Sequence, residues 1–353
     1  MRSSALFLSL AALAEVGKAR PPVYTLEDDY EPANFFDYFT FFNTSDPTHG
    51  FVQYVNQSAA KATGLIANDK STVYIGADHS NITPNGRPSV RITSKKAYNR
   101  FLLVLDLEHM PFGCGTWPAF WTVGPNWPNN GEIDIIEGVH TNPTDAMTLH
   151  TSDSCGITND GAFSGTILTP NCYVAAPGQG NNAGCGIATT NNETYGAGLN
   201  AIGGGVYATE WNSTDITIWF FPRGNIPKDL THGQHPDPAT WGEPLSQFQG
   251  ACDIEAHFAD QQIVFDDTFC GDWAGNVWYP SLYPSCTAQA ATCTDFVANN
   301  PDAFADAYWS INSLKVYQQT SDWHTPGHAP WGVDPYLPKS ISSLCPIPTA
   351  SMG

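Results

Sequence analysis

Positive charge is scarce in this sequence: 14 Lys and Arg stand against 34 Asp and Glu, and charged residues make up only 14% of the chain. The resulting net charge of -20 excludes the basic footprint of a nucleic-acid binder and opposes adsorption to anionic membranes, so a neutral ligand is expected. Past the N-terminus no apolar run is long enough to cross a bilayer, and the closing ISSLCPIPTASMG lacks the hydrophobic tail of a lipid-anchor signal. No HExxH, paired CxxC or GxSxG occurs, which leaves metal-first and serine-nucleophile mechanisms without support. No cofactor or metal is expected. Long helices are improbable too, because 31 Gly and 27 Pro punctuate the 353 residues. With no linker, internal repeat or extended low-complexity tract, one domain is the simplest organisation.

What the chain does have is a sizeable apolar fraction, 42%, and 11 Trp, enough for a large core and more. Its first residues, MRSSALFLSLAALAEVGKAR, combine Arg2, an apolar run from Ala5 to Ala14 and small residues near Ala19. That is the pattern of a secretory signal peptide over residues 1–19, leaving residues 20–353 as one domain of a secreted, extracellular, monomeric protein. Five N-x-S/T triplets, opened by Asn43, Asn56, Asn81, Asn192 and Asn212, agree with that route. Nine cysteines should mostly pair in an oxidising compartment; nine is odd, one thiol is left over, and spacing does not reveal the pairing.

Strand-like segments recur between turn signals at 73–78, 89–94, 100–109, 118–124, 132–139, 146–152, 206–212, 215–221 and 309–318. Many short strands without helical periods between them predict an all-β chain, an antiparallel sandwich or barrel. In ATEWNSTDITIWFF, Asn212 to Asp215 separate two alternating runs and predict a hairpin. From Cys155 to Gly205 the pattern fails, and Gly- and Asn-rich sequence predicts long loops stapled by disulfides around a site. GQGNNAG, within that stretch, follows no strand and opens no helix, so it is no nucleotide fingerprint.

The chemistry concentrates in GEIDIIEGV, residues 131 to 139. Strict alternation would put Glu132 and Asp134 on one face of a strand and Glu137 on the other, among the isoleucines. A one-residue β-bulge near Ile135 and Ile136 would return Glu137 to the face of the other two acids while the isoleucines still pack. Clustered acids are more often a solvated face or a calcium site. Here, however, Trp117, Trp121 and Trp127 lie just upstream, and indole faces beside paired carboxylates are what a sugar-cleaving cleft needs. Glycoside cleavage uses two carboxyl groups, one as nucleophile and one as proton donor, about 5–5.5 Å apart when configuration is retained. Repulsion among three acids would keep one of them protonated.

EIDIIE, and the surrounding GTWPAFWTVGPNWPNNGEIDIIEGV, closely resemble the signature of glycoside hydrolase family 16 in its laminarinase-like form, as in secreted fungal endo-β-1,3(4)-glucanases. The resemblance runs from about Phe35, through FTFFNTSDPTHGFVQYV, TLHTS and CGDWAG, to near Tyr317. It implies a β-jelly-roll sandwich of two antiparallel sheets whose concave face binds a β-glucan chain. By the same resemblance Glu132 matches the nucleophile, Glu137 the acid/base and Asp134 the residue orienting the nucleophile, while Trp121, Trp127, His150 and Trp273 match positions lining the cleft. The implied activity is retaining endo-hydrolysis of β-1,3 or mixed β-1,3-1,4 glucans. A transglycosylase is the alternative among enzymes, and a non-catalytic glucan binder is disfavoured by the intact glutamate pair.

Overall fold

Strand Phe101–His109, FLLVLDLEH, opens on five consecutive apolar residues because both of its faces are covered there. Phe101, Leu103, Leu105 and Leu107 point into the main core between two sheets. Leu102 and Val104 point the other way, into a smaller cluster with Val206, Trp219, Phe221, Trp241 and Tyr24. This computed structural model describes residues 23–158, 161–231 and 235–320. The proposed signal peptide, residues 1–19, and the closing segment with Cys345 lie outside the described residues.

Two eight-stranded sheets make up the sandwich. In the first, the order is Ser246–Phe248, Ile216–Pro222, Gly205–Trp211, Phe101–His109, Tyr308–Thr320, Val73–Gly76 and Ile66–Asn68, with Val23–Asp29 also paired to Tyr308–Thr320. In the second it is Thr166–Ile167, Cys185–Ala188, Ala146–His150, Glu132–Glu137, Thr116–Val123, Gln261–Phe269, Arg91–Tyr98 and Phe39–Phe42. The pairings within both are antiparallel. The acidic strand therefore stands in the middle of its sheet, where neighbours on both sides hold it. The expected hairpin is present: Trp211 pairs with Ile216, Asn212 N–H donates to the Asp215 carbonyl at 3.1 Å, and Asn212 Oδ1 caps the turn.

The Gly- and Asn-rich stretch is more ordered than expected. It contains strand Cys185–Ala188, which extends the acidic sheet, and a short helix, Gly196–Ala201. Strand Gln261–Phe269, beside Thr116–Val123, is absent from the expected set, since the paired acids Asp266 and Asp267 interrupt its apolar pattern. Eight cysteines form four disulfides: Cys114–Cys286, Cys155–Cys252, Cys172–Cys185 and Cys270–Cys293. Four of the sequon asparagines are exposed and Asn212 is half-buried.

Two of those disulfides bind the segment after Phe269, which carries Trp273, to a second apolar cluster of Phe269, Trp278, Phe296, Val297 and Phe304. His140, fully buried, completes the attachment. Its Nδ1 accepts the Gly115 N–H at 2.9 Å, and its Nε2 donates to the Ala274 carbonyl at 2.8 Å. That pattern requires a neutral ring, and burial lowers the His140 pKa from 6.5 to about 4. Below 6.5 the unfolded chain takes a proton that the folded chain refuses until about 4, so stability is lost as pH falls through that window. The span corresponds to about 3 kcal/mol. A His140→Gln variant, which cannot titrate, should be less stable than the parent at pH 7, with the deficit shrinking by that order at pH 4; unfolding curves at a series of pH values measure it.

Candidate active site

The acidic strand carries the expected bulge. Asp134 faces Trp121 of the neighbouring strand and Ile136 faces Phe120, so two residues on one side span a single step on the other, with Ile135 the extra one. Ile133, Ile135 and Ile136 are all fully buried in the core. Glu132, Asp134 and Glu137 face Val123, Trp121 and Ala119 respectively, all on the opposite side of the sheet from Phe120 and Thr122. The isoleucines thus keep the apolar interior while all three acids share the outer face.

The neighbouring strands complete the site. His150 lies directly across from Glu132, and its Nε2 is 3.3 Å from Asp134 Oδ2 and 4.0 Å from Glu132 Oε1. Trp117 donates its indole N–H to Glu137 Oε1 at 2.8 Å and meets Trp273 edge-on, with ring centroids 5.7 Å apart. Trp121 packs against the Arg91 guanidinium, 4.9 Å from its ring centroid, and Arg91 also covers Phe42 and pairs with Asp266 at 3.6 Å. Trp127 is apart from this cluster. It sits 44% exposed in the 124–131 connection that leads into Glu132, preceding a cis Pro128. Of the residues singled out in the sequence, Glu132, Asp134, Glu137, Trp117, Trp121, His150 and Trp273 are brought together across three strands and one stapled loop. Arg91 and Asp266 join them unannounced, because a lone arginine and a repeated aspartate carry no local signature.

Electrostatics follow from crowding. Asp134 is 2% exposed, whereas Glu132 keeps 17% of its side chain accessible, which leaves its carboxylate open to a ligand. Burial, then the Asp134 carboxylate, pushes Glu132 up to about 8, against the pull of His150. Burial and Asp134 likewise push Glu137 up to about 8, opposed by the Trp117 hydrogen bond. Burial, with Asp266 and Asp145 nearby, raises Asp134 well above the carboxylate range. Such a cluster titrates as a unit and retains a proton near neutrality. Carboxylate and imidazole atoms of Glu132, Asp134 and His150 lie within 4.8 Å of one another, a set that could also ligate a cation; Cys155, Cys252 and His257 cluster as closely, but both sulfurs are spent in a disulfide.

A β-sandwich that sets two half-buried glutamates and an aspartate on one face of a central strand, with indoles around them, has the architecture of a carbohydrate-cleaving enzyme. Comparison with known proteins makes the class definite. The family model described as "XgeA-like, catalytic GH16 domain" matches residues 39–317. An endo-1,3(4)-β-glucanase of Arthroderma benhamiae is 49% identical over 323 residues, covering 90% of this chain and 69% of that protein. A probable endo-1,3(4)-β-glucanase of Aspergillus fumigatus is 44% identical over 317 residues, 88% of this chain but only 48% of the relative. Among solved structures, laminarinase 16A of Phanerochaete chrysosporium, with β-glucans in donor and acceptor sites, superposes with a TM-score of 0.79 at 43% identity, covering 84% of this chain and all of that one. An elongating family 16 β-1,3-glucosyltransferase gives 0.76 at 44% identity, with the same coverage. The chain belongs to glycoside hydrolase family 16, and it is an enzyme of that class.

Asp134→Asn tests the electrostatic coupling. With one fewer negative charge in the cluster at high pH, the last proton on the glutamate pair becomes easier to lose. The alkaline limb of the activity profile should therefore move to lower pH, as rates measured between pH 4 and 10 would reveal.

Proposed function

We propose that this glycoside hydrolase is a secreted endo-β-glucanase that cleaves internal β-1,3 bonds, and mixed β-1,3-1,4 bonds, with retention of configuration, residues 1–19 being its signal and the remainder one domain. The observation that carries the reading is the bulge at Ile135, which turns Glu137 onto the face of Glu132 and beside the Trp117 indole. In this scheme Glu132 attacks the anomeric carbon and Glu137 protonates the departing glycosidic oxygen. Trp117 donates to Glu137 Oε1, so the acid proton belongs on Oε2, which is free to face the scissile bond. Having given up that proton, Glu137 activates water for the second displacement, which releases Glu132 and restores the original anomer. Asp134, between the pair and near His150, orients Glu132 and shares the proton that the crowded cluster retains. Trp121, Trp127 and Trp273 offer flat faces to the sugar rings. The multiple disulfides support an oxidising destination.

A second reading is favoured by the similarity to a glucosyltransferase: a sugar hydroxyl, instead of water, resolves the glycosyl-enzyme, and products longer than the substrate accumulate. Sizing the products of laminaritetraose separates the two.

Proton NMR during the first minutes of laminarin hydrolysis tests the stereochemistry. A β-anomer first is the expected result, and an initial α-anomer would mean that the glutamates stand too far apart for direct attack. Glu132→Gln should fold as the parent does, yet fall below about a tenth of its turnover, since the amide is no nucleophile; a colorimetric reducing-sugar assay decides this.

A further inference from the structure

The bulge that turns Glu137 outward also breaks the ladder beside it. Strand Ala146–His150 pairs with the acidic strand at Glu132, Ile133 and Asp134 and no further. Beyond that point the acidic strand has lost its main-chain partner on this side. The Glu137 amide is met by a side chain instead: its N–H donates to Asp145 Oδ1 at 3.0 Å. Asp145 is the residue just ahead of strand Ala146–His150, and it is fully buried.

Asp145 is itself held from several directions. Its amide donates to Thr194 Oγ1 at 3.2 Å, and its carbonyl accepts the Thr189 N–H at 3.2 Å. Its Oδ2 lies 3.3 Å from the hydroxyl of Tyr207, which is 1% exposed and belongs to strand Gly205–Trp211 of the opposite sheet. On the far side of Glu137, Gly138 packs against the buried Tyr195 ring so closely that a Cβ there would stand 2.7 Å from it. The main chain around Glu137 is thus gripped from inside the sandwich, while its carboxyl projects outside.

We propose that Asp145 is a positioning residue for Glu137, tying the bulged main chain to Tyr207 in the opposite sheet so that the Glu137 carboxyl is held at the scissile bond. This rests on the acid/base role of Glu137 proposed above. Proton counting says in which form Asp145 does so. Tyr207 has one hydroxyl proton, and its 2.5 Å contact with the Thr194 carbonyl takes it. The hydrogen bond between Tyr207 and Asp145 then draws its proton from Asp145, and burial favours that neutral form. A neutral Asp145 accepts from Glu137 with one oxygen and donates to Tyr207 with the other. Asparagine can do the same with its carbonyl and amide; alanine can do neither.

The experiment compares kcat/KM on laminarin with kcat/KM on 2,4-dinitrophenyl β-laminaribioside, whose leaving group departs without a proton. Because kcat/KM reports only as far as formation of the glycosyl-enzyme, the aryl substrate bypasses acid catalysis and a defect confined to Glu137 is silent on it. Glu137→Ala sets the reference: laminarin cleavage collapses and aryl glycoside cleavage persists. Should both collapse, or neither, the acid/base reading falls, and the role of Asp145 with it. Given the reference behaviour, Asp145→Ala should lose about tenfold or more on laminarin and less than about threefold on the aryl glycoside, a share of the 10²–10⁴ that a placed acid contributes. Asp145→Asn should keep at least about a third of both rates, since its hydrogen bonds survive. Equal losses on the two substrates, or no loss, overturn the proposal. If Asp145→Ala does not fold, Tyr207→Phe carries the same comparison: a loss selective for laminarin supports the tie, and parallel losses overturn it.

Discussion

Removing carboxyl groups from water is the constraint on which this structure depends. Each ionised carboxylate moved into a low-dielectric interior costs several kcal/mol, and like charges a few ångströms apart add to that. The acidic strand places three in one cluster, and Asp145 and Asp266 stand close behind. The protein does not neutralise them with an equal number of cations. Arg91 reaches Asp266, and His150 reaches Asp134, but Glu137 has only an indole N–H and its neighbours' repulsion. The remaining cost is met by retained protons, with Asp266 also pushed up, to about 7, by burial against the pull of Arg91. The same crowding that makes the cluster expensive makes it an acid near neutrality, where a free carboxyl group would already be ionised.

Stability and chemistry therefore pull on pH in related ways. The cluster of Glu132, Asp134 and Glu137 retains a proton in the folded state at pH values where the same glutamates in the unfolded chain, with ordinary values near 4.5, have released theirs, so rising pH through that interval favours unfolding. His140 works in the other direction, losing stability as pH falls from 6.5 toward 4. The two slopes oppose each other in the weakly acidic range, which is where the fold is least sensitive to pH. Disulfides with sequence separations of 172 and 97 supply stabilisation that does not titrate at all, by restricting the unfolded chain.

How much of this was legible in the sequence depends on range. The acidic strand and its bulge were legible because three acids among three isoleucines can satisfy both faces in only one way, and the structure places the extra residue at Ile135. The hairpin at Asn212 was legible because its turn chemistry is local. Strand Gln261–Phe269 was not: Asp266 faces the cleft beside Ala119, but Asp267 on the next position is buried at 4% exposure, and an inward acid contradicts the alternation that marks a strand. Cysteine pairing was illegible for a similar reason, since partners 13 to 172 residues apart are chosen by the finished fold. Trp117 could be recognised as an aromatic near the acids, but its hydrogen bond to Glu137 depends on a register that the bulge itself resets. Asp145, in TNPTDAM, has the look of an ordinary turn residue.

The bulge has a further consequence when mutation is considered as loss of residues and not only as exchange. In most loops of a sandwich, dropping one residue shortens a connection and little else. In the acidic strand, an in-frame loss of the single codon for Ile135 would repair the ladder: every remaining residue could pair in register with Thr116–Val123, and the sheet would become more regular. Glu137 would keep the outer face opposite Ala119, because in the shortened run strict alternation sends all three acids to one side and Ile133 and Ile136 to the other. Such a lineage would keep all three acids on the cleft face and give up one buried isoleucine of the core. A signature that insists on two residues between Asp134 and Glu137 would miss it, because the facing of the acids, and not their count or spacing, is what the bulge preserves.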